Sequence, residues 1–86
     1  MAVIALSVAS TVSSLPQSET ERWFYSDATY TTEVGYRYTG CSGYKEGWGV
    51  TSNYRITYAE NCSTGITICD YCYFDNVTAT WHCTQC

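Results

Sequence analysis

Basic residues are scarce in this chain: Arg22, Arg37, Lys45 and Arg55 are its only four Lys or Arg, against eight Asp and Glu, for a net charge of −4. Binding a phosphate backbone needs clustered cations, so nucleic acid is not an expected partner. Proline occurs once, at Pro16, and from Arg22 onward no segment repeats apolar residues at a helical period. Leucine occurs only as Leu6 and Leu15, so the aliphatic side chains that usually fill a core are thin. The run Ala2–Ala9, apolar apart from Ser7, is far short of the ~20 residues needed to cross a bilayer, so no transmembrane segment is expected. A phosphate-binding glycine loop, a nucleophile elbow and a metalloprotease motif are all missing. No pair of residues can be given a catalytic role, and the expectation is a protein that is not an enzyme and holds no cofactor.

What the chain does have is sulfur and aromatic rings: six Cys, nine Tyr and three Trp in 86 residues. This length allows one domain, whose core alone is marginal, and small domains of this kind usually need a staple. The segments "RWFYS", "VGYRYTG", "VTSNYRITYAE", "GITIC" and "VTATWHC" are dense in residues that suit a pleated surface. In the second, Val34, Tyr36 and Tyr38 alternate with Arg37 and Thr39; in the third, Tyr54, Ile56 and Tyr58 alternate with Arg55 and Thr57. Alternation of this sort predicts half-buried antiparallel strands. The glycine-rich "GCSGYKEGWG" reads as a turn or long hairpin loop, and "YAENCSTG" and "DN" as further turns. The expected fold is all-β: a small antiparallel sheet or meander with an extended N-terminal segment.

That segment, residues 1–21, supports three readings. Ala2–Ala9 has the length of a signal-peptide hydrophobic region and "Ser7-Val8-Ala9" the form of a cleavage site, although no Lys or Arg precedes it. Ile4, Leu6, Val8 and Val12 also share one face of an extended strand, which suits a segment packed in a groove or donated to a neighbour. A disordered arm is the third. "LPQSETE" reads as a linker, placing the folded body at residues 22–86.

The six cysteines, Cys41, Cys62, Cys69, Cys72, Cys83 and Cys86, also leave alternatives open. An even count in a short chain reads as three disulfides. The spacing Cys69-x2-Cys72-x10-Cys83-x2-Cys86 is also that of a zinc ribbon, though no glycine follows Cys72. Redox activity is the third possibility, but strands and acids rather than cations surround the thiols. If the turn lies at Asp75-Asn76, a three-residue loop sets Cys69 opposite Cys83, leaving Cys72 to pair with Cys86. Cys41–Cys62 would tie the glycine-rich loop to the turn after Ala59.

The run "WFYSDATYTTEVGYRYTGCSG" resembles a signature of small secreted bacterial proteins grouped as a domain of unknown function. The matching positions are Tyr25, Ser26 and Asp27, then Val34 and Gly35, then Cys41 and Gly43, followed by Gly47-Trp48-Gly49. The similarity covers Trp23 to about Tyr58. It implies export and paired cysteines and no assigned activity, and it leaves the Cys-x-x-Cys tail unmatched. In a bacterial source the sequons at Asn61 and Asn76 would carry little meaning.

Trp23, Tyr25, Tyr36, Tyr38, Trp48, Tyr54 and Tyr58 are either the core of a leucine-poor domain or a face for a protein or glycan partner. His82, beside Cys83, reads as a partly exposed strand residue, because strand neighbours point to opposite faces. The eight acids are scattered along the chain and read as solvated surface. The functional expectation is a secreted, disulfide-stabilised structural or binding module. Its rivals are a self-assembling surface subunit that donates residues 2–14, with the chain itself as partner, and a four-cysteine zinc ribbon.

Overall fold

The Tyr-, Thr- and Val-rich segments do form strands. The computed structural model describes residues 15–86, so the signal, groove and donated-strand readings of residues 2–14 lie outside the described residues. The elements are β1 (Ser18–Tyr25), β2 (Glu33–Thr39), β3 (Lys45–Gly49), β4 (Tyr54–Asn61), β5 (Thr67–Asp75) and β6 (Thr80–Gln85). They make one antiparallel sheet in the order β3-β2-β1-β4-β5-β6, with no helix among the described residues.

Three expectations shift at their edges. Lys45–Gly49, read as loop, is strand β3, paired from Thr39↔Lys45 to Gly35↔Gly49. The turn needs only the residues between β2 and β3, closed by Gly40 N donating to Tyr44 O at 2.7 Å. Strand β1 starts at Ser18 rather than Arg22, because a central strand finds partners on both sides: Thr20 faces Thr39 in β2 and Ala59 in β4. Val77–Ala79, read as strand, belong to the β5–β6 turn.

The meander is broken once. After three hairpin-linked strands, the chain returns to place β4 beside β1, the spatial order of a Greek key. The link Val50–Asn53 must cross β2 and β1, about 14 Å at ordinary strand spacing. A link this short reaches only ~17 Å when extended. It therefore runs tight against the sheet. Val50 N donates to Val34 O at 2.9 Å, and the Ser52 hydroxyl lies 2.5 Å from Tyr25 O and 3.0 Å from Tyr54 O. Gly35 permits this approach, since a Cβ there would sit 1.9 Å from Val50 O.

Side-chain acceptors close the other turns. Asn61 Oδ1 takes the backbone N–H of Ser63 and Thr64 at 2.9 and 3.0 Å, and Asp75 Oδ1 takes Val77 N–H at 2.8 Å. Such Asx turns offer the backbone a partner where the ladder ends.

Little is buried. Among the described residues, the buried apolar side chains are Phe24, 5% exposed, and Cys72, 2% exposed. Most domains pack two layers around a core; here one sheet stands with three disulfides, Cys41–Cys62, Cys69–Cys86 and Cys72–Cys83. The first pairing is the expected one. The other two correct the expected Cys69–Cys83 and Cys72–Cys86. Asp75 pairs with Thr80, so the loop is Asn76–Ala79, longer and later than the one expected at Asp75-Asn76. That register puts Cys72 directly opposite Cys83. It also aligns Cys86 with Cys69, whose carbonyl accepts the Cys86 N–H at 2.9 Å.

Candidate binding face

Residues opposite one another in a ladder share a face, so the register sorts every strand side chain. One row reads Trp48–Tyr36–Trp23–Ile56–Tyr71–Thr84 across the six strands. The row on one side of it runs Glu33–Tyr25–Tyr54–Tyr73–His82, and the row on the other side Glu46–Tyr38–Glu21–Tyr58–Cys69. All seven aromatic candidates thus lie on a single face. They are half-buried apart from Trp48 and Tyr58, which are 50% and 48% exposed. Trp23 and Tyr36 pack with centroids 4.3 Å apart and ring planes tilted by 45°, and nothing among the described residues forms a second layer over the face.

Sequence reasoning missed four members of this face, one of them Tyr44, whose ring centroid lies 6.2 Å from that of Tyr38. Tyr71 and Tyr73 flank Cys72 in "DYCYF", where alternation was the available signal and the cysteines took the attention. Tyr30 comes from the β1–β2 loop at a positive φ of 54°, which no strand pattern announces. Its ring stands edge-on to Tyr25, Tyr54 and Tyr71 at 5.7, 6.1 and 5.8 Å, and its hydroxyl donates to Cys72 O at 2.8 Å.

Four of the eight acids, scattered in sequence, gather at the other end of the same face. Glu19 pairs directly with Glu60, and Glu21 and Glu46 stand in the adjoining row. A shallow cleft of about 350 Å³ is lined by Glu19, Glu21, Tyr58 and Glu60. Another, of about 390 Å³, is lined by Trp23, Tyr36, Glu46 and Trp48. The phenol of Tyr38 is held above its ordinary pKa chiefly by a hydrogen bond with Glu19, and that of Tyr44 by its bond to Glu46 Oε2 at 3.1 Å. Burial, followed by Glu21 and Glu46, raises Tyr36.

The reverse face holds every Lys and Arg of the chain. Arg22 stands directly opposite Arg37, and Arg55 opposite Phe24. The Arg37 guanidinium lies along β3, donating to Tyr36 O and Trp48 O at 2.7 Å and to Gly49 O at 3.2 Å. Gly47 leaves room for it, since a Cβ there would come within 3.0 Å of Arg37 Cδ. Arg55 stacks its guanidinium 3.8 Å from the Trp81 ring centroid, with its Nε buried and without a partner. Burial, followed by Arg22, lowers its pKa. Among the described residues His82 Nε2 lies 3.6 Å from Asp75 Oδ2. No Lys or Arg meets a carboxylate among the described residues.

The two Cys-x-x-Cys pairs do not close on themselves, because residues three apart in a strand point to opposite faces. Cys69–Cys86 lies on the aromatic face and Cys72–Cys83 on the basic one. Sulfurs bonded this way present no thiolate, the form that zinc binds. Among the described residues no group of three or more His, Cys, Asp or Glu is arranged to hold a metal ion. His82 stacks on Tyr73, with centroids 5.1 Å apart, rather than serving a thiol.

A model of a family of unknown function, DUF6289, matches residues 19–63. The chain belongs to DUF6289. The match spans β1 to β4 and includes both ends of the Cys41–Cys62 bridge, so it covers the Greek-key unit. The DUF6289 stretch also contains the Trp23–Tyr58 run that carried the resemblance. The β5–β6 hairpin with its two disulfides lies beyond the match. No curated protein and no solved structure matches the chain.

Proposed function

We propose that this DUF6289 protein is an exported, disulfide-stapled structural or binding module without catalytic activity, and that its aromatic face takes up a protein or glycan partner. The carrying observation is the register: seven aromatic side chains from four strands converge on one face of a sheet that has no second layer among its described residues. Rings of this kind present large apolar area with a polar edge, which suits sugars and protein surfaces alike.

Three disulfides fit an oxidising compartment, and no helix among the described residues is long and apolar enough to cross a membrane. The carboxylates sit on an open face, whereas catalysis favours a site that excludes water. The test has two arms. Protein recovered outside the cell, alkylated without reductant, should carry no adduct; six modified thiols would reject the reading. Trp48→Ala with Tyr58→Ala should leave the melting temperature nearly unchanged and abolish the heat of binding, by titration calorimetry, of an oligosaccharide or protein that the parent binds. A partner that binds this variant as well as the parent would place the surface elsewhere.

A further inference from the structure

The two faces carry opposite net charge, with Asp70 the one strand acid on the basic side, and each holds like charges in direct opposition. On the basic face Arg22 confronts Arg37 across the β1–β2 ladder. On the aromatic face Glu19 confronts Glu60 across the β1–β4 ladder. Like charges directly opposite destabilise a sheet, and no Lys or Arg within salt-bridge distance of a carboxylate relieves either pair among the described residues. Glu19 and Glu60 lie at the end of the sheet away from the Val50–Asn53 crossover and Tyr30, with Lys45 at the same end of β3; Arg22 and Arg37 lie at mid-strand, two residues from Phe24 and Gly35.

We propose that the partner of this face is a second copy of the chain, stacked so that the basic face of one molecule covers the acidic, aromatic face of the next. This deepens the proposed function and rests on its reading of the aromatic face. Charge decides the geometry. Two aromatic faces packed together would set Glu19, Glu21 and Glu60 against their own equivalents, and two basic faces would set Arg22 and Lys45 against theirs. Juxtaposed like charges suppress a wrong pairing at an interface. Both symmetric dimers are disfavoured, and the heterologous contact remains. Stacked sheets sit about 10 Å apart, close enough for Arg22 and Lys45 of one copy to reach the carboxylates of the next. A contact between unlike faces closes only if a rotation brings it round; otherwise it continues as an open stack. Trp48 and Tyr58 would supply exposed apolar area to each contact, interleaved with Glu46 and Glu21.

Sedimentation velocity over a range of protein and salt concentrations tests this. The parent should form species larger than a dimer at ~0.01 M salt and dissociate at ~1 M, where the screening length falls from ~30 to ~3 Å. Arg22→Glu with Lys45→Glu makes the basic face net acidic, and Glu19→Lys, Glu21→Lys and Glu46→Lys with Glu60→Lys makes the acidic end of the aromatic face basic. Each variant alone should self-associate at least about tenfold more weakly. Mixed together they should assemble again, which general unfolding or loss of solubility cannot reproduce. Deleting residues 2–14 should leave the stack intact.

A monomer at every salt, a closed dimer, or assembly indifferent to the reversals as edge-strand pairing would be, overturns the proposal. So does loss of assembly on removing residues 2–14, which would assign it to strand donation. If either variant fails to fold, the salt dependence of the parent decides alone. A monomer whose aromatic face still binds an oligosaccharide would reject the stack and leave the proposed function standing.

Discussion

Gly35 shows how much one hydrogen atom in place of a side chain can carry. The sequence marks it only as the second residue of "VG" inside a strand, where glycine is ordinarily a weakness. Its role appears when Val50, far along the chain, is laid over it with its carbonyl where a Cβ would be. Gly35→Ala should therefore cost more than ~3 kcal/mol, above the usual range for overpacking, because the obstacle is backbone and cannot rotate away. Gly43→Ala is the control. Gly43 has a φ of 91° and no neighbour within 4 Å of a Cβ, so only backbone strain of about 1–2 kcal/mol applies. Urea unfolding under non-reducing conditions compares the two. Equal losses would mean that the crossover is not seated on Gly35. Arg37 makes a similar point: its alternation with Tyr36 and Tyr38 was readable, but the trough along Gly47 and Gly49 that receives it requires β3 to be alongside.

At the scale of the element, strand composition was a sound guide and strand edges were not. The alternating Tyr and Thr of β2 and β4 reflect a local steric preference, so those strands were legible directly. Strand β3 was hidden because its glycines look like turn residues until a partner supplies the ladder. The tail hairpin was misregistered for a comparable reason. Asp75 is a good turn residue, yet here its side chain caps the turn from the last position of β5. Moving the loop to Asn76–Ala79 changes which sulfurs meet. Peptide mapping without reductant should recover Cys69–Cys86 and Cys72–Cys83; a Cys69–Cys83 peptide would reject this register. Replacing Cys72 and Cys83 by alanine should destabilise by about 2–4 kcal/mol. It should exceed the loss from replacing Cys69 and Cys86, because Cys72 is the most buried side chain described.

Over the whole molecule the dominant fact is segregation: bases on one face, tyrosines and most strand acids on the other. This has a consequence for pH. Burial raises the phenol pKa of Tyr25 and Tyr30, and it leads the causes in Tyr36 as well; hydrogen bonds with Glu19 and Glu46 raise Tyr38 and Tyr44. A phenol whose folded pKa exceeds its unfolded value contributes stability that is complete below the unfolded pKa of about 10 and is lost as pH rises through the folded value. The absorbance of tyrosinate should therefore appear at higher pH in the folded protein than in the reduced, unfolded chain, and thermal stability should fall across that interval. Coincident titration curves would show that the face does not hold its phenols as described.

The amino-acid sequence by itself determined the class of structure, the need for sulfur staples and the alternation that sends rings one way and arginines the other. Those properties belong to single residues and their immediate neighbours. Only the tertiary structure decided how the four tail cysteines bond, which turn residues are strand, and that acids far apart in the chain become neighbours. Register and strand order depend on contacts between distant segments, and a shift of one residue or one crossover redistributes every side chain between the two faces.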